Sequence, residues 1–335
     1  MPVEARYYEK LPDLKVQCHL CPNECVLPDN GLGECGVRLN DHGKLLAMSF
    51  GICSAIKLEP IEKKPLFHFH PGSYILSVGN IGCNFHCDFC QNAEISQATI
   101  ATYPVDTYHN PEQLVEQCLN ENPCLGIAFT YNEPTVWYEY MKMIALKSRE
   151  SGFKNVMVTN GYINEGPLTE LIPLISAFNI DLKGFSSSFY RDNCQGKLEP
   201  VKHTLKTIKA FGSHLEITFL LIPGRNDSRE EFISMVKWIH DELGPDTVLH
   251  ISRYFPAYKS PTEKTPIGLL FDFCEEARKY LSYVYLGNVT GSEEQNTICS
   301  KCGKMVISRY GDFVQKSGID QYGNCMNCNN KIVSY

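Results

Sequence analysis

No apolar stretch in this 335-residue chain approaches the roughly eighteen residues that a membrane-spanning helix needs. The opening residues Met1–Lys10 carry charge and lack the apolar block of a secretion signal. These absences argue against a membrane-spanning helix and a secretion signal, and a cytoplasmic protein is expected. A basic balance is missing too. The net charge is −7, which argues against a surface built to coat nucleic acid. There is no low-complexity segment and no repeat at the sequence level. The length suffices to bury a large core, and it predicts one main domain with small appendages.

Cysteine is abundant instead. There are sixteen, and in a cytosolic chain they point to metal sites and not to disulfides. They fall in three groups: Cys18, Cys21, Cys25 and Cys35; Cys83, Cys87 and Cys90; Cys299, Cys302, Cys325 and Cys328. The remaining five, Cys53, Cys118, Cys124, Cys194 and Cys274, stand apart and read as small buried apolar residues.

The central group has the spacing C-x3-C-x2-C, with Phe89 before the last cysteine, and follows an apolar run, Tyr74–Ile81, that reads as a strand. Four thiolates would satisfy a cubane iron–sulfur cluster; three leave one iron open for a small chelating ligand. Zinc would want four ligands, or three and a water, in pairs at short spacing. Spacing alone leaves zinc open.

From Tyr74 to about Gly287 the pattern alternates strand and helix. Strands are expected over Tyr74–Val78, Gly126–Thr130, Asn155–Thr159, Phe178–Leu182, Leu215–Ile222, Val248–Ser252 and Tyr283–Leu286. Helices are expected over Pro111–Leu119, Thr135–Ser151, Leu168–Ala177, Val201–Phe211, Arg229–Leu243 and Ile267–Leu281. Such alternation predicts βαβ units on a parallel sheet. The expected fold is α/β: a partial (β/α)6-type TIM-like barrel with small N- and C-terminal four-cysteine metal lobes. The expected domains are 1–72, 73–290 and 291–335. Active sites of such barrels gather at the C-terminal strand ends, where the central cysteine loop falls.

Two further post-strand loops would lie beside it, Thr130–Pro134 and Thr159–Gly161. Glu133 can accept hydrogen bonds from an ammonium group, and it equally fits a carboxylate at a helix N-terminus. Asn160 and Gly161 offer backbone that a ligand can approach closely, and equally fit a plain turn.

The C-terminal group is two C-x2-C knuckles, which read as a structural zinc ribbon; an auxiliary cluster would need the same four thiolates. In so short a segment the metal supplies much of the folding free energy. The N-terminal group has less regular spacing. Four thiolates there can hold zinc, a single iron or a cluster, and spacing does not choose. A cluster could relay electrons, a single ion would fix the N-terminal lobe against the barrel, and the structural role is the expectation.

The stretch from Tyr74 to Gly287 resembles radical S-adenosylmethionine (SAM) enzymes of the pyruvate formate-lyase activating type, and within them the AmmeMemoRadiSam-system radical SAM enzyme. The resemblance rests on Glu62–Phe69, Pro71–Ser73, Gly82–Phe85, Phe89–Asn92 and Glu94–Gln97. It continues in Thr130–Pro134, Thr159–Gly161, Asp181–Gly184, Ile222–Gly224 and Tyr285–Asn288. It implies a [4Fe-4S] cluster on Cys83, Cys87 and Cys90, with SAM on the open iron, cleaved reductively to a 5'-deoxyadenosyl radical. Glu133 looks like the last residue of a Gly-Gly-Glu motif, with Tyr131 and Asn132 in place of the glycines. Asp181 and Lys183 match an Asp-x-Lys element at the SAM end, a pair that also fits an ordinary ion pair. The resemblance places SAM contacts at Asn132, Glu133, Asn160, Asp181, Lys183 and Arg253, where Arg253 stands in place of a histidine, with His250 just upstream. It further implies an electron donor such as flavodoxin or ferredoxin, and a protein substrate from which hydrogen is abstracted. The segment Ile61–His70 is expected to line the substrate entrance or to pack as a connector. The alternatives are a radical methyltransferase, a small-molecule-modifying enzyme, or a non-catalytic metal-dependent nucleic-acid-binding or scaffold protein. No cobalamin-binding segment is evident.

Overall fold

Among the described residues, seven parallel strands lie side by side in the order in which the chain visits them, and one antiparallel strand borders the first. The computed structural model describes residues 2–104, 107–289 and 291–335. The border strand is β1 (Ala55–Pro60). The parallel strands are β2 (Tyr74–Gly79), β3 (Gly126–Phe129), β4 (Lys154–Thr159), β5 (Ala177–Asp181), β6 (His214–Leu221), β7 (Val248–Arg253) and β8 (Val284–Gly287). The principal helices are α1 (Pro111–Asn120), α2 (Tyr138–Glu150), α3 (Glu165–Leu171), α4 (Leu198–Ala210), α5 (Arg229–Leu243) and α6 (Ile267–Ala277). Each parallel step needs a crossover, and a helix supplies it by covering the outer face of the sheet. Strands buried on both faces read as apolar runs, as in Ile127, Ala128 and Phe129, all without solvent exposure. Asn110 and Gln113 form a capping box with Pro111 in the first turn of α1, which sets where that helix begins.

β1 and β8 are the two edges of the sheet, so the barrel is partial. The open seam is covered from one side by the C-terminal lobe. Its small sheet comprises Thr297–Ile298, Met305–Tyr310 and Phe313–Gln315. Phe67, Tyr283 and Tyr285 share an apolar cluster with Val306, Ile307 and Val333 of that lobe. The Arg309 guanidinium stacks 4.2 Å over the Phe67 ring and donates to the Phe67 carbonyl at 2.7 Å. The N-terminal lobe is two three-stranded antiparallel sheets. It is tied to the barrel by a buried ion pair, Arg38 Nη2 to Glu139 Oε1 of α2, at 2.5 Å.

Several expectations are corrected. β1 was not expected: its run AIKLEP mixes polar and apolar residues and ends in proline, which suits an edge strand and carries little period-two signal. The helix expected through Ala177 ends at Leu171; Pro173 lies in a tighter turn, Ile172–Leu174, and Ala177 already begins β5. The helix expected from Thr135 begins at Tyr138, after a single turn Pro134–Trp137. Cys118 and Cys124 are not isolated. They form a disulfide across six residues, with Cα atoms 5.9 Å apart. The expected boundary at residue 290 lies outside the described residues, and no helix among those described is long and apolar enough to cross a membrane.

Candidate functional site

The loops after the parallel strands enclose a cavity of ≈ 640 Å³. Cys83, Cys87 and Cys90 line it from the loop after β2. That loop starts at Gly82 with φ 83°, a left-handed conformation that glycine takes freely. A Cβ there would also strike the Cys35 carbonyl and the Val37 side chain. Asn132 braces the same turn: its Oδ1 accepts from Asn80 N at 3.0 Å, and its Nδ2 donates to the Gly82 carbonyl at 2.9 Å. Around the sulfurs stand polar hydrogens. Phe85 N–H lies 3.4 Å from Cys83 Sγ, Asn160 Nδ2 lies 3.8 Å from it, and Ser96 Oγ lies 3.1 Å from Cys90 Sγ. Burial pushes the Cys83 thiol up, with the charges of Glu133 and Cys87 adding to it. Burial likewise raises the Cys90 thiol; thiols that resist ionising alone suit a cation that would share their charge, and soft sulfur suits iron. The residues present fit a cluster with one open iron.

Cys87 is lowered, chiefly by a hydrogen bond from Cys194. Cys194, expected to be isolated, is therefore a neighbour of this site, and His86 N donates to its carbonyl at 3.0 Å. Asp88, within the loop, is gripped through both oxygens by Arg225 Nη1 at 2.7 Å.

Glu133 is 2 % exposed and lines the cavity. Its Oε1 accepts from Thr135 N at 2.9 Å and from Thr159 Oγ at 2.6 Å; its Oε2 accepts from Asn160 N at 2.8 Å. Burial nevertheless raises its pKa, and these hydrogen bonds oppose the rise. The carboxylate caps the turn after it and joins the loops after β3 and β4. Tyr131, where the resembling motif carries glycine, has φ 73°. A bulky residue rarely takes this conformation, and here its phenol donates to Glu59 Oε2 at 2.5 Å while Lys64 Nζ sits 4.8 Å over its ring. Lys183 pairs with Asp181 at 2.9 Å, and both line the cavity. Burial disfavours the Lys183 charge, but Asp181, Cys87 and Cys194 outweigh it and hold the ammonium on.

Asn132, Glu133, Asn160, Asp181 and Lys183 thus share one cavity with the three cysteines. Arg253 is outside that lining. Its Nε donates to the Thr265 carbonyl at 2.8 Å, and its guanidinium lies 5.1 Å from the Phe255 ring centre. Strand parity is the reason: His250 and Ser252 of β7 face inward and line the cavity, so Arg253 faces away. Sequence reasoning named His250 only as the upstream neighbour of Arg253 and passed over Ser252, although the two-residue period of a strand carried the signal. His250 Nε2 meets Glu216 at 2.6 Å, and Glu216 also accepts from Phe67 N, His68 N and His214 Nε2. Of the segment Ile61–His70, Lys63, Lys64 and Phe67 line the cavity, whereas His68 is buried between the Ile332 carbonyl and Tyr285.

The two outer cysteine groups differ. Cys299, Cys302, Cys325 and Cys328 hold all four sulfurs within 4.8 Å of one another, with 3.5 Å between Cys299 and Cys328 and 3.7 Å between Cys302 and Cys325. Among the described residues no other group of three or more ligand atoms converges so closely. Cys18, Cys21, Cys25 and Cys35 gather more loosely. Burial pushes the Cys21 thiol up, and the other three add to this by their charge.

Comparison with known proteins agrees with this geometry. A family profile described as the radical SAM superfamily matches residues 79–239. An uncharacterised protein of Methanocaldococcus jannaschii is 42% identical over 336 residues, covering 98% of each chain. The benzylsuccinate synthase activating enzyme of Thauera aromatica is 22% identical over 129 residues, covering 38% of this chain and 39% of that one. The crystal structure of a radical SAM methyltransferase from Sphaerobacter thermophilus superposes with a TM-score of 0.54 at 13% identity, covering 91% of this chain and 80% of that one.

Proposed function

This chain belongs to the radical SAM superfamily, and from that membership we propose that it acts on a protein segment, in the manner of the activating enzymes. Membership implies a [4Fe-4S] cluster, SAM and an external electron donor; the cluster and SAM together supply a 5'-deoxyadenosyl radical that abstracts hydrogen from carbon. Cys83, Cys87 and Cys90 would hold the cluster. The observation that carries the reading is their convergence, with Glu133, Asn160 and the Asp181–Lys183 pair, on one cavity of ≈ 640 Å³.

The chain's own residues do four things there. Asn132 and Arg225 keep the cysteine loop in place. Glu133 aligns the loops after β3 and β4 and presents negative charge to a SAM ammonium. Lys183 and Asp181 set a polar, charge-balanced wall beside Cys87. Buried Phe85 and Phe89 exclude water behind the loop. A second cavity of ≈ 570 Å³ shares Glu62, Lys63, Phe67, Gln91 and Asn288 with the first and extends it toward Arg309 and Asp312 of the C-terminal lobe. A lateral extension of this size supports an extended segment as substrate, more than a small molecule held in a sealed pocket. Flavodoxin or ferredoxin would serve as the donor.

The C-terminal thiols would hold one zinc ion. Metal–sulfur bonds of about 2.3 Å at tetrahedral angles put sulfurs about 3.8 Å apart, close to the separations of 3.5 and 3.7 Å found here.

The test is anaerobic incubation of the iron-reconstituted protein with SAM and a strong reductant. 5'-Deoxyadenosine supports the reading; S-adenosylhomocysteine would redirect it to methyl transfer, and no cleavage would remove the enzymatic reading. A deuterium label on a protein substrate should appear in 5'-deoxyadenosine.

A further inference from the structure

The N-terminal cysteine group lies directly against the central loop. The Cys35 carbonyl occupies the space that a Cβ of Gly82 would need, and Gly82 is bonded to Cys83. Asn23, in the same turn as Cys21 and Cys25, donates through Nδ2 to the Asn84 carbonyl at 3.0 Å. Between the Cys35 sulfur and the Cys83 sulfur there is only one non-bonded step, from carbonyl 35 to residue 82.

Two observations bear on what the group holds. Its sulfurs do not converge as the C-terminal four do, and neither do those of Cys83, Cys87 and Cys90. A cubane of four irons spreads its thiolates farther than one tetrahedral ion does. The N-terminal four, like the central three, thus fall outside the single-ion spacing that the C-terminal four adopt. Second, Arg38, 2 % exposed, reaches Cys18 Sγ through Nη1 at 3.8 Å, and its Nε has no protein hydrogen-bond partner. A buried cation with a spare N–H suits a site with sulfide acceptors, whose charge becomes more negative by one on reduction. Zinc has no such change to compensate.

We propose that Cys18, Cys21, Cys25 and Cys35 hold a redox-active iron–sulfur cluster that passes single electrons to the central loop across the Cys35–Gly82 contact. One electron enters from a low-potential one-electron donor such as reduced flavodoxin, which is oxidised by one electron; no proton or group moves. The relay rests on the reading of the central loop given above, whereas the cluster itself does not.

The full-length Cys83→Ala/Cys87→Ala/Cys90→Ala variant separates the two. After anaerobic reconstitution it is expected to keep about four irons and four sulfides, and to give a reduced-cluster electron paramagnetic resonance signal that SAM does not alter. Adding Cys21→Ser and Cys25→Ser should remove that iron. A second zinc equivalent beyond that of the C-terminal lobe, without sulfide, would overturn the proposal. So would a folded variant, judged by circular dichroism, that takes up no iron. For the relay, Cys21→Ser/Cys25→Ser with the central cysteines intact should slow reduction of the central cluster by reduced flavodoxin at least about tenfold. The SAM-induced change in the central signal should persist after dithionite reduction. Equal rates would overturn the relay. If the wild type failed to cleave SAM while the triple variant kept its cluster, the proposed function would fail and the N-terminal cluster would stand.

Discussion

Glu133 Oε2 accepts the backbone N–H of Asn160 at 2.8 Å, so one buried carboxylate ties the loop after β3 to the loop after β4. Two sequence elements with separate local explanations thereby become one wall of the cavity. Glu133→Ala leaves three donors without their acceptor and removes the negative charge. Charge-assisted hydrogen bonds contribute about 1.5–3 kcal/mol, so SAM affinity should fall about tenfold or more while iron content stays constant. Glu133→Gln keeps one acceptor oxygen but turns an NH2 toward a donor, so it should recover part of the thermal stability and not the affinity. Unchanged titration curves for both variants would reject the ammonium role.

Asn132 acts on the cluster loop from the other side. Asn132→Ala strands Asn80 N and the Gly82 carbonyl, at about 1–3 kcal/mol for each buried group left unpaired. The loop should loosen, and iron should leave faster to a chelator. Wild-type retention of iron over the same hours would show that the brace is dispensable.

Arg253 and His250 offer a contrast on one strand. Arg253→Ala loses its bond to the Thr265 carbonyl and should cost about 0.5–1.5 kcal/mol of stability. Its SAM affinity should match the wild type in equilibrium binding. His250→Ala, on the inward face, should alter binding or turnover. A large loss of affinity in the Arg253 variant would mean that the guanidinium reaches the cavity after all.

Low pH should destabilise the seam between barrel and C-terminal lobe. Burial drives His68 down to about 3, and His70 down to about 4 with help from nearby Lys154 and Lys316. His68 is held neutral, its Nδ1–H donating to the Ile332 carbonyl while Nε2 accepts from Tyr285. The unfolded chain protonates these rings near 6.5 and so binds more protons as pH falls below that value. Their stabilising contribution is complete above about 6.5 and is lost as pH falls, by up to about 1.4 kcal/mol per pH unit toward about 3 for buried His68 and by less, toward about 4, for the half-exposed His70, whose charge solvent screens. Melting temperature should drop across this window, and His68→Gln should flatten the drop. Identical pH slopes for variant and wild type would refute the assignment.

Removing the C-terminal metal should uncover the barrel as well as unravel the lobe. Cys299→Ser/Cys325→Ser should lose one zinc equivalent and release the apolar contacts of Phe67 and Tyr285, lowering solubility and melting temperature. Anomalous scattering that found iron at these four sulfurs would overturn the metal choice.

Local chemistry made much of this molecule legible. Apolar runs of four to eight residues between helical periods marked all seven parallel strands to within a residue or so. Cysteine spacing marked three segments as candidate metal sites, and of these the C-terminal four bring their sulfurs within 4.8 Å of one another. What escaped depended on residues far apart in the chain. Edge strand β1 forms because β2 offers it a partner. Arg253 faces away because the pairing of β7 with β6 sets its parity. Cys194 meets Cys87, and Arg38 pairs with Glu139 across 101 positions. The sulfur spacing that separates the N-terminal group from the C-terminal one is likewise tertiary. A sequence states how many thiols are near along the chain, while packing against Gly82 or around a single ion decides how far apart they are held.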